Sequence, residues 1–424
     1  MEARTPGVSS EDVVAELSRR SGAHWELYRK NGESHELTAA GASRRRAWRR
    51  EEGWAARWWE QEGIRFACAS RLDDLLTAIS LAQSVRVRPS PTPDWPESRS
   101  PDAPPGAEVE PPPDLFPDLA RALSAESRGE GQLAELTLSR GVAVERIENG
   151  SGLLVTQAAK TFDGVALAIG RRGGRSCEAR VVFRTEEEPD MAALARRLAD
   201  RAVLPLAERS TPLARGEWLL DPSVAAALLA GLSPLFTAER PPSWLSRPHF
   251  GSGQVTLVDD ASADASFDGE GTASRRVPLV QSGEAVGRLR DLVSAARSGG
   301  KSTGHGVRPS YRLPPAVRPR RIFFETAAGV PPRDLLTSVK RGLFASALTV
   351  PVQVDLQKDH FEVEFTGVAV LAGRAQSPVS GARARGRLSQ LLRRITAVGT
   401  DRQFFPMPYP TGAPTLLIER ADFD

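Results

Sequence analysis

Residues 250–308 read FGSGQVTLVDDASADASFDGEGTASRRVPLVQSGEAVGRLRDLVSAARSGGKSTGHGVR and carry several short motifs in a fixed order. Two acids close an apolar stretch at Val258-Asp259-Asp260, and the run Phe267-Asp268-Gly269-Glu270-Gly271 follows. Further along stand Ala295-Ala296-Arg297 and Ser302-Thr303-Gly304-His305-Gly306. No motif is distinctive alone, so the information lies in their order and spacing.

This order and spacing resemble the C-terminal section of the TldD/PmbA family (PmbA is also called TldE), whose members form bacterial metallopeptidase complexes. The resemblance continues through Gly367–Gly373 and into Val398-Gly399-Thr400-Asp401, where the family has asparagine in place of Thr400. It covers most of the chain and is weakest near the N-terminus. The resemblance implies an α+β fold, with a mixed α/β N-terminal half in two pieces and a C-terminal half dominated by antiparallel β-sheet.

The zinc motif of the family's TldD branch is missing from this chain. That motif, H-E-x-x-x-H, lies on a helix, and its counterpart here begins at Asp221-Pro222, a good N-cap followed by a proline suited to the first helical position. Aligning the motif places the family's functional positions at Ala230, Gly231 and Leu235, none of which can bind a metal or accept a proton. The family's third ligand, a cysteine, should fall in residues 403–410, which read QFFPMPYP. The resemblance is therefore to the TldE-like branch, with no cofactor expected in this chain.

Composition limits the class of protein. A chain of 424 residues can form two or three domains, and its formal net charge of +3 gives no electrostatic reason to expect nucleic-acid binding. No stretch approaches the roughly 20 apolar residues that cross a bilayer, and the acidic residues near Met1 argue against a secretory signal. Cys68 and Cys177 are the only cysteines, so a disulfide framework is not expected and a reducing cytoplasm fits best.

The spacing of apolar residues and the positions of glycine and proline predict four segments. Residues 1–86 form a first α/β section, with a hairpin turn at Asn31-Gly32 and a second strand pair around Gly53 and Gly63, formed by Trp54–Trp59 and Ile64–Cys68. Residues 87–117 are proline-rich and predict a stiff, extended, mostly solvated linker. Residues 118–212 form a second α/β section, and residues 213–424 a strand-rich domain.

Three other motifs have ordinary structural explanations. Gly300-Lys301-Ser302 resembles the end of a phosphate-binding loop, but alanine stands where its first glycine is required. The run from Asp359 to Glu364 alternates polar and apolar residues, which fits a strand with one wet face better than a metal site. The arginines and tryptophans of residues 44–59 are interrupted by glutamates and fit a solvated hairpin with an aromatic inner face.

The resemblance implies that this chain is the non-catalytic, TldE-like subunit of a heterodimeric zinc metallopeptidase. Its partner would be a TldD-type chain that carries the zinc and H-E-x-x-x-H. The substrates would be unfolded peptides, or leader peptides removed during maturation of peptide natural products. Two alternatives stay open: a peptide-binding homo-oligomer without protease activity, and an enzyme with new acid–base chemistry in the family cavity.

The best-matched loops supply the candidate cavity residues, namely Asp268, Glu270, His305 and Arg308. A structural role is an equal alternative for Asp268 and Glu270, which could form a turn with caps and salt bridges. His305 could equally be a hydrogen-bonded turn histidine.

Overall fold

A computed structural model describes residues 8–60, 63–81, 85–86, 92–97, 109–185, 188–206, 213–237, 243–246, 250–263, 265–326 and 328–423. Its N-terminal half is built on one seven-stranded antiparallel sheet in the order β4-β3-β2-β1-β5-β6-β7. The strands are β1 Trp25–Ala40, β2 Ser43–Glu60, β3 Gly63–Ala69, β4 Val85–Arg86, β5 Gly131–Asn149, β6 Leu154–Arg172 and β7 Arg175–Thr185. Because β1 pairs with β5 from Glu26 to Ala39, the two predicted N-terminal sections share a single sheet.

Four helices cover one face of this sheet. They are α1 Ser10–Ser21, α2 Leu72–Ser80, α3 Phe116–Glu126 and α4 Met191–Val203. Leu27 of β1 packs in one cluster with the first two helices, and Ala39 of the same strand packs with the other two. Side chains alternate between the two faces of a strand, so Glu26 and Tyr28 point to the opposite face. That face meets the C-terminal half, since Tyr28 packs with Tyr311.

The predicted turn at Asn31-Gly32 is wrong. Gly32 lies inside β1, opposite Glu51 of β2 and Ala143 of β5, and the strand turns only after Ala40. Pairing on both sides of β1 overrides the local turn propensity of the asparagine–glycine pair. Gly53 is also inside a strand, where the Tyr311 ring occupies the space that a Cβ atom would need.

The C-terminal half consists of two larger sheets around a buried helix, together with one two-stranded sheet. Its helices are α5 Pro222–Leu232, α6 Leu292–Ser298, α7 Pro332–Ser338 and α8 Leu388–Arg393. Its strands are β8 Arg215–Leu220, β9 Leu257–Asp260, β10 Arg276–Gln281, β11 Glu284–Ala285, β12 Gly306–Val307, β13 Ala316–Val317, β14 Ile322–Phe324, β15 Arg341–Leu348, β16 Gln353–Asp355, β17 His360–Leu371, β18 Arg374–Gly386, β19 Ile395–Val398, β20 Gln403–Pro406, β21 Pro410–Ala413 and β22 Leu416–Asp422.

Antiparallel pairs dominate these sheets, as predicted for an α+β fold. One sheet runs β11-β10-β9-β14-β21-β20 and the other β16-β17-β15-β8-β22-β19, with β18 added beside β17. Two pairs, β8 with β15 and β14 with β21, are parallel. The predicted two-faced strand is confirmed in β17, where Phe361, Val363 and Phe365 are buried and His360 is exposed.

Helix α5 begins as the sequence predicts. The Asp221 carboxylate accepts a hydrogen bond from the Ser223 amide at 2.8 Å, and Pro222 occupies the first turn. The helix is apolar on nearly all sides and contacts strands of both sheets. Leu235 lies beyond it, in the short 3₁₀ turn Ser233–Phe236. Among the described residues, no helix is both long and apolar enough to span a membrane.

The linker prediction is wrong for the part of residues 87–117 that the structure describes around Trp95. This side chain is 8% exposed and meets the Trp59 ring edge-on, with centroids 5.0 Å apart. The Asn149 amide group donates to the Pro96 carbonyl at 3.0 Å, which attaches the segment to the β5–β6 turn. Composition alone predicted that the entropy cost of ordering would leave this segment solvated. Burial of the Trp95 ring offsets that cost.

Trp95→Ala should lower the free energy of unfolding by about 3 kcal/mol, because truncating a buried tryptophan leaves a cavity against Trp59. Chemical denaturation of the purified chain measures this loss. The neighbouring, exposed Asp94 offers the matched control, and Asp94→Ala should change stability little. Equal stability of both variants would show that residues 92–97 do not pack on the core.

Candidate functional site

The Phe267–Gly271 run forms a tight turn organised by the Asp268 carboxylate. One carboxylate oxygen accepts the amides of Glu270 and Thr272, both at 2.9 Å. The other accepts the Gly306 amide at 2.8 Å, which ties the turn to the segment after His305. Burial raises the pKa of Asp268, and these three backbone N–H donors oppose that rise. Asp268 therefore connects two loops that lie far apart in the sequence.

Four buried charges meet where the N-terminal sheet contacts this turn. The Arg57 guanidinium donates to Glu26 and to Glu270, each at 2.8 Å, and Arg308 donates to the other oxygen of Glu26. Arg308 also donates from Nε to the Gly269 carbonyl at 2.6 Å. All four side chains are nearly inaccessible, with exposed fractions of 0–2%. We call Glu26, Arg57, Glu270 and Arg308 the ionic tetrad.

The tetrad joins the two halves of the chain, since Glu26 and Arg57 belong to β1 and β2. Burial raises the pKa of Glu270 to about 8; the nearby Asp291 and Asp268 carboxylates add to the rise, and Arg57 opposes it. Both Glu270 oxygens nevertheless accept N–H donors, from Arg57 and from the Leu292 amide at 2.7 Å. This geometry suits the ionised carboxylate. Burial also lowers the pKa of Arg308, to about 9.

His305 belongs to a separate buried pair. Its Nε2 atom lies 3.0 Å from the Asp259 carboxylate, and its Nδ1 atom lies 2.9 Å from the Thr303 carbonyl. Asp259 also accepts the Arg320 amide at 3.0 Å. Both His305 and Asp259 are 0% exposed. This arrangement fixes the loop after α6 against β9 and leaves the imidazole without access to a solvent-borne substrate.

The structure thus brings three of the four predicted cavity residues together and places His305 on the Asp259 pair. All four are buried and have intramolecular partners, which supports the structural interpretation of these loops; direct contact with substrate stays a prediction. Sequence reasoning missed Glu26 and Arg57. Their signal was a charged residue within an apolar strand run, Trp25-Glu26-Leu27 and Ala56-Arg57-Trp58.

An open cleft of about 480 Å³ lies beside the tetrad, between the N-terminal sheet and the loops of the C-terminal half. Arg57 reaches its wall, and Asp291 and Ser294, which cap α6, line the same side. The rest of the wall is formed by Ile64, Thr237, Val293, Arg297, Pro314, Pro315, Ala316 and Val317. Apolar walls with a few polar groups are typical of ligand-binding clefts. This cleft, and not the four predicted residues, is the accessible part of the site.

Helix α5, which carries Ala230 and Gly231, contacts β20 and β21, the two strands that contain parts of the stretch 403–410. Tyr409, from the stretch 403–410, donates from its hydroxyl group to the Ala230 carbonyl at 3.3 Å. A Cβ atom on Gly231 would lie 2.9 Å from Val354, and Leu235 is 0% exposed. Across the described part of the chain, no three His, Cys, Asp or Glu side chains form a group able to bind a metal. The residues at this place do not fit zinc.

Arg57→Met should lower the free energy of unfolding by about 3–5 kcal/mol, because it leaves Glu26 and Glu270 buried with too little positive charge. The loss should stay constant between pH 5 and pH 8 and grow above pH 8. A carboxyl whose folded pKa is raised contributes stability below its unfolded pKa and loses it as the pH rises towards the folded value, about 8 for Glu270. Removing Arg57 raises that pKa further, so the parent and the variant lose stability equally up to pH 8, and only the variant continues to lose it above pH 8.

Denaturation at several pH values measures this dependence. Arg65→Ala, which removes a half-exposed arginine of the adjoining strand, is the control and should cost less than about 1 kcal/mol at every pH. A pH-independent loss for Arg57→Met would contradict the ionic interpretation of the tetrad.

Comparison with known proteins agrees with this architecture. Residues 217–424 match the protein-family model of the PmbA/TldA metallopeptidase C-terminal domain. An uncharacterized protein of Methanocaldococcus jannaschii is 31% identical over 207 residues, which is 45% of this chain and 48% of that protein. A metalloprotease TldD homolog of Buchnera aphidicola is 28% identical over 153 residues, covering 34% of this chain and 31% of the relative. The aligned part thus spans half or less of these relatives.

Solved structures match the fold over almost the whole chain. TldE from Thermococcus kodakarensis superposes with a TM-score of 0.80 at 15% identity, over 98% of this chain and 100% of that one. A putative modulator of a DNA gyrase from Thermotoga maritima gives 0.78 at 17% identity, with the same two coverages. The solved structures share the fold of this chain, and the family match of residues 217–424, with the motif order of residues 250–308 inside it, identifies the chain through its C-terminal domain as a member of the TldD/PmbA family.

Proposed function

We propose that this chain is the non-catalytic, TldE-like subunit of a two-chain zinc metallopeptidase. The observation that supports this most is the meeting of α5 with residues 403–410. The elements that would hold the metal and its catalytic glutamate are adjacent, yet they present Ala230, Gly231, Leu235 and Tyr409. None of these side chains can activate a water molecule at neutral pH. Burial also raises the pKa of Tyr409, so its hydroxyl stays protonated.

The partner in this proposal is a cytoplasmic TldD-type chain that carries H-E-x-x-x-H and the zinc ion. This chain contributes part of the wall of an enclosed cavity that admits unfolded peptides, including leader peptides of peptide natural products. The cleft between Arg57 and Val293 supports the proposal, because it offers apolar surface together with polar groups of both signs. Such a surface suits an extended peptide better than a single small ion.

The acid–base alternative loses its main residue. General acid–base catalysis needs a group within hydrogen-bond reach of the substrate, and His305 is buried on Asp259. The other alternative, a peptide-binding homo-oligomer, is distinguished from the proposal by the following experiment. Co-expression with a TldD-type chain, followed by mass measurement of the intact complex and a peptide-hydrolysis assay, should give a mixed assembly that is active only with both chains. Hydrolysis by this chain alone, or a homo-oligomer that ignores the TldD-type chain, would refute it.

The purified chain alone should contain no stoichiometric zinc, because the family positions lack every ligand type that zinc prefers. Elemental analysis after dialysis against a chelator measures the metal content. The TldD-type partner, treated identically, provides the positive control and should retain about one zinc per chain. One tightly held metal per copy of this chain would contradict the proposal.

Val293→Glu should weaken peptide binding by the complex without slowing its chemistry. Val293 is half-buried in the cleft wall, and a carboxylate there adds a charge where a peptide would pack. We expect KM to rise by roughly tenfold at an unchanged kcat, since this change removes binding common to ground and transition states. Val286→Glu is the matched control, because Val286 is 52% exposed and is not part of the cleft lining. A fall in kcat with unchanged KM would contradict a role of this cleft in peptide binding alone.

A further inference from the structure

The distal half of β2 is an edge strand with a strong positive charge. Strand β3 pairs with β2 only from Trp54 to Glu60, whereas β1 pairs with it from Ser43 to Trp58. Among the described residues, no strand pairs with the outer side of β2 between Ser43 and Gly53. This stretch, which we call the basic edge, reads SRRRAWRREEG and contains five arginines.

The basic edge presents backbone groups in a regular order. Glu60 and Gly63 close the β2–β3 hairpin, so the even-numbered residues of β2 direct their N–H and C=O groups towards the β3 side. The β1–β2 register continues without a shift from Trp58 to Ser43. Consequently Arg46, Trp48 and Arg50 direct their backbone N–H and C=O groups away from β1. Unpaired groups of this kind are a template for another strand.

The side chains of the basic edge are open to solvent. Trp48 is 56% exposed, and the side chains of Arg49 and Arg50 are 74% and 52% exposed. Intramolecular acids balance three of the five arginines: Asp114 lies 2.6 Å from Arg44, Glu36 lies 3.5 Å from Arg49, and Glu52 lies 2.8 Å from Arg50. Glu51 and Glu52 stand at the proximal end of the run, so Arg45 and Arg46 keep its distal part positive.

We propose that the basic edge docks an acidic, extended segment of a second polypeptide chain, which adds as a strand beside β2. The unpaired backbone selects an extended chain, and the arginines select negative side chains at alternate positions. A nucleic acid would satisfy the arginines but not the row of amide and carbonyl groups, so the observations favour a peptide. This proposal concerns a surface remote from the tetrad and does not depend on the proposed function.

The probe is a fluorescein-labelled peptide of alternating glutamate and valine, measured by fluorescence anisotropy with the full chain at low salt. We expect saturable binding that weakens as salt is raised. A lysine–valine peptide should not bind. A glutamate peptide of equal charge in which proline replaces each valine should bind at least roughly tenfold more weakly, because it cannot form a strand.

Two variants at one position separate the backbone from the side chain. Trp48→Ala keeps the outward amide, whereas Trp48→Pro removes it without removing a hydrogen bond to β1. The proline variant should bind the glutamate–valine peptide about five- to tenfold more weakly than the alanine variant. Thermal midpoints of the two variants, measured first, must agree.

Charge is tested in the same way. Arg46→Gln with Arg49→Gln should weaken binding by roughly tenfold, and Arg121→Gln, on an exposed arginine of α3, should leave it unchanged. Equal affinity for Trp48→Ala and Trp48→Pro overturns the proposal. So does equal binding of the proline-containing peptide, or tighter binding of single-stranded DNA, since either result reduces the edge to a non-specific cationic surface.

Discussion

The buried contact of two arginines with two glutamates fixes how the halves of this protein meet. Glu26 and Arg57 face away from the helical layer, and they could not be buried without charged partners. Glu270 and Arg308 supply those partners from loops of the C-terminal half. A purely hydrophobic contact would tolerate sliding, whereas a tetrad of this kind has one arrangement in which every charge is paired.

The loops that carry these partners are constrained in turn. The Asp268 carboxylate positions Glu270 and Gly306 by accepting a hydrogen bond from the backbone amide of each. The Asp259–His305 pair fixes the neighbouring strand end. A Cβ atom on Gly306 would lie 2.5 Å from a Glu270 oxygen, so only glycine admits the carboxylate. The motifs that reveal the family in the sequence are therefore those that assemble the contact between the halves.

Sequence patterns predicted the elements whose causes are local. The cap at Asp221 and the alternating face of β17 depend on near neighbours, and both are confirmed. The Asn31-Gly32 turn failed because β1 is held between two long strands that no local window contains. The linker prediction failed at Trp95 for a similar reason, because composition does not show that this ring packs on Trp59. Only Glu270 and Arg308 of the tetrad were predicted. Glu26 and Arg57 were missed because their charged partners lie more than 200 positions away in the sequence.

The parallel pairing of β8 has a consequence for how this protein is made. Strand β8 lies between β15 and β22, and Leu220 is paired with Ala345 on one side and Leu416 on the other. Helix α5 follows β8 directly and is apolar nearly all round, so it emerges from the ribosome long before the strands that will cover it. Contacts of such long sequence separation form slowly and leave apolar surface exposed in the meantime. The nascent C-terminal half should therefore depend on chaperones until β22 has been synthesised, while the hairpins of the N-terminal sheet can close as they appear.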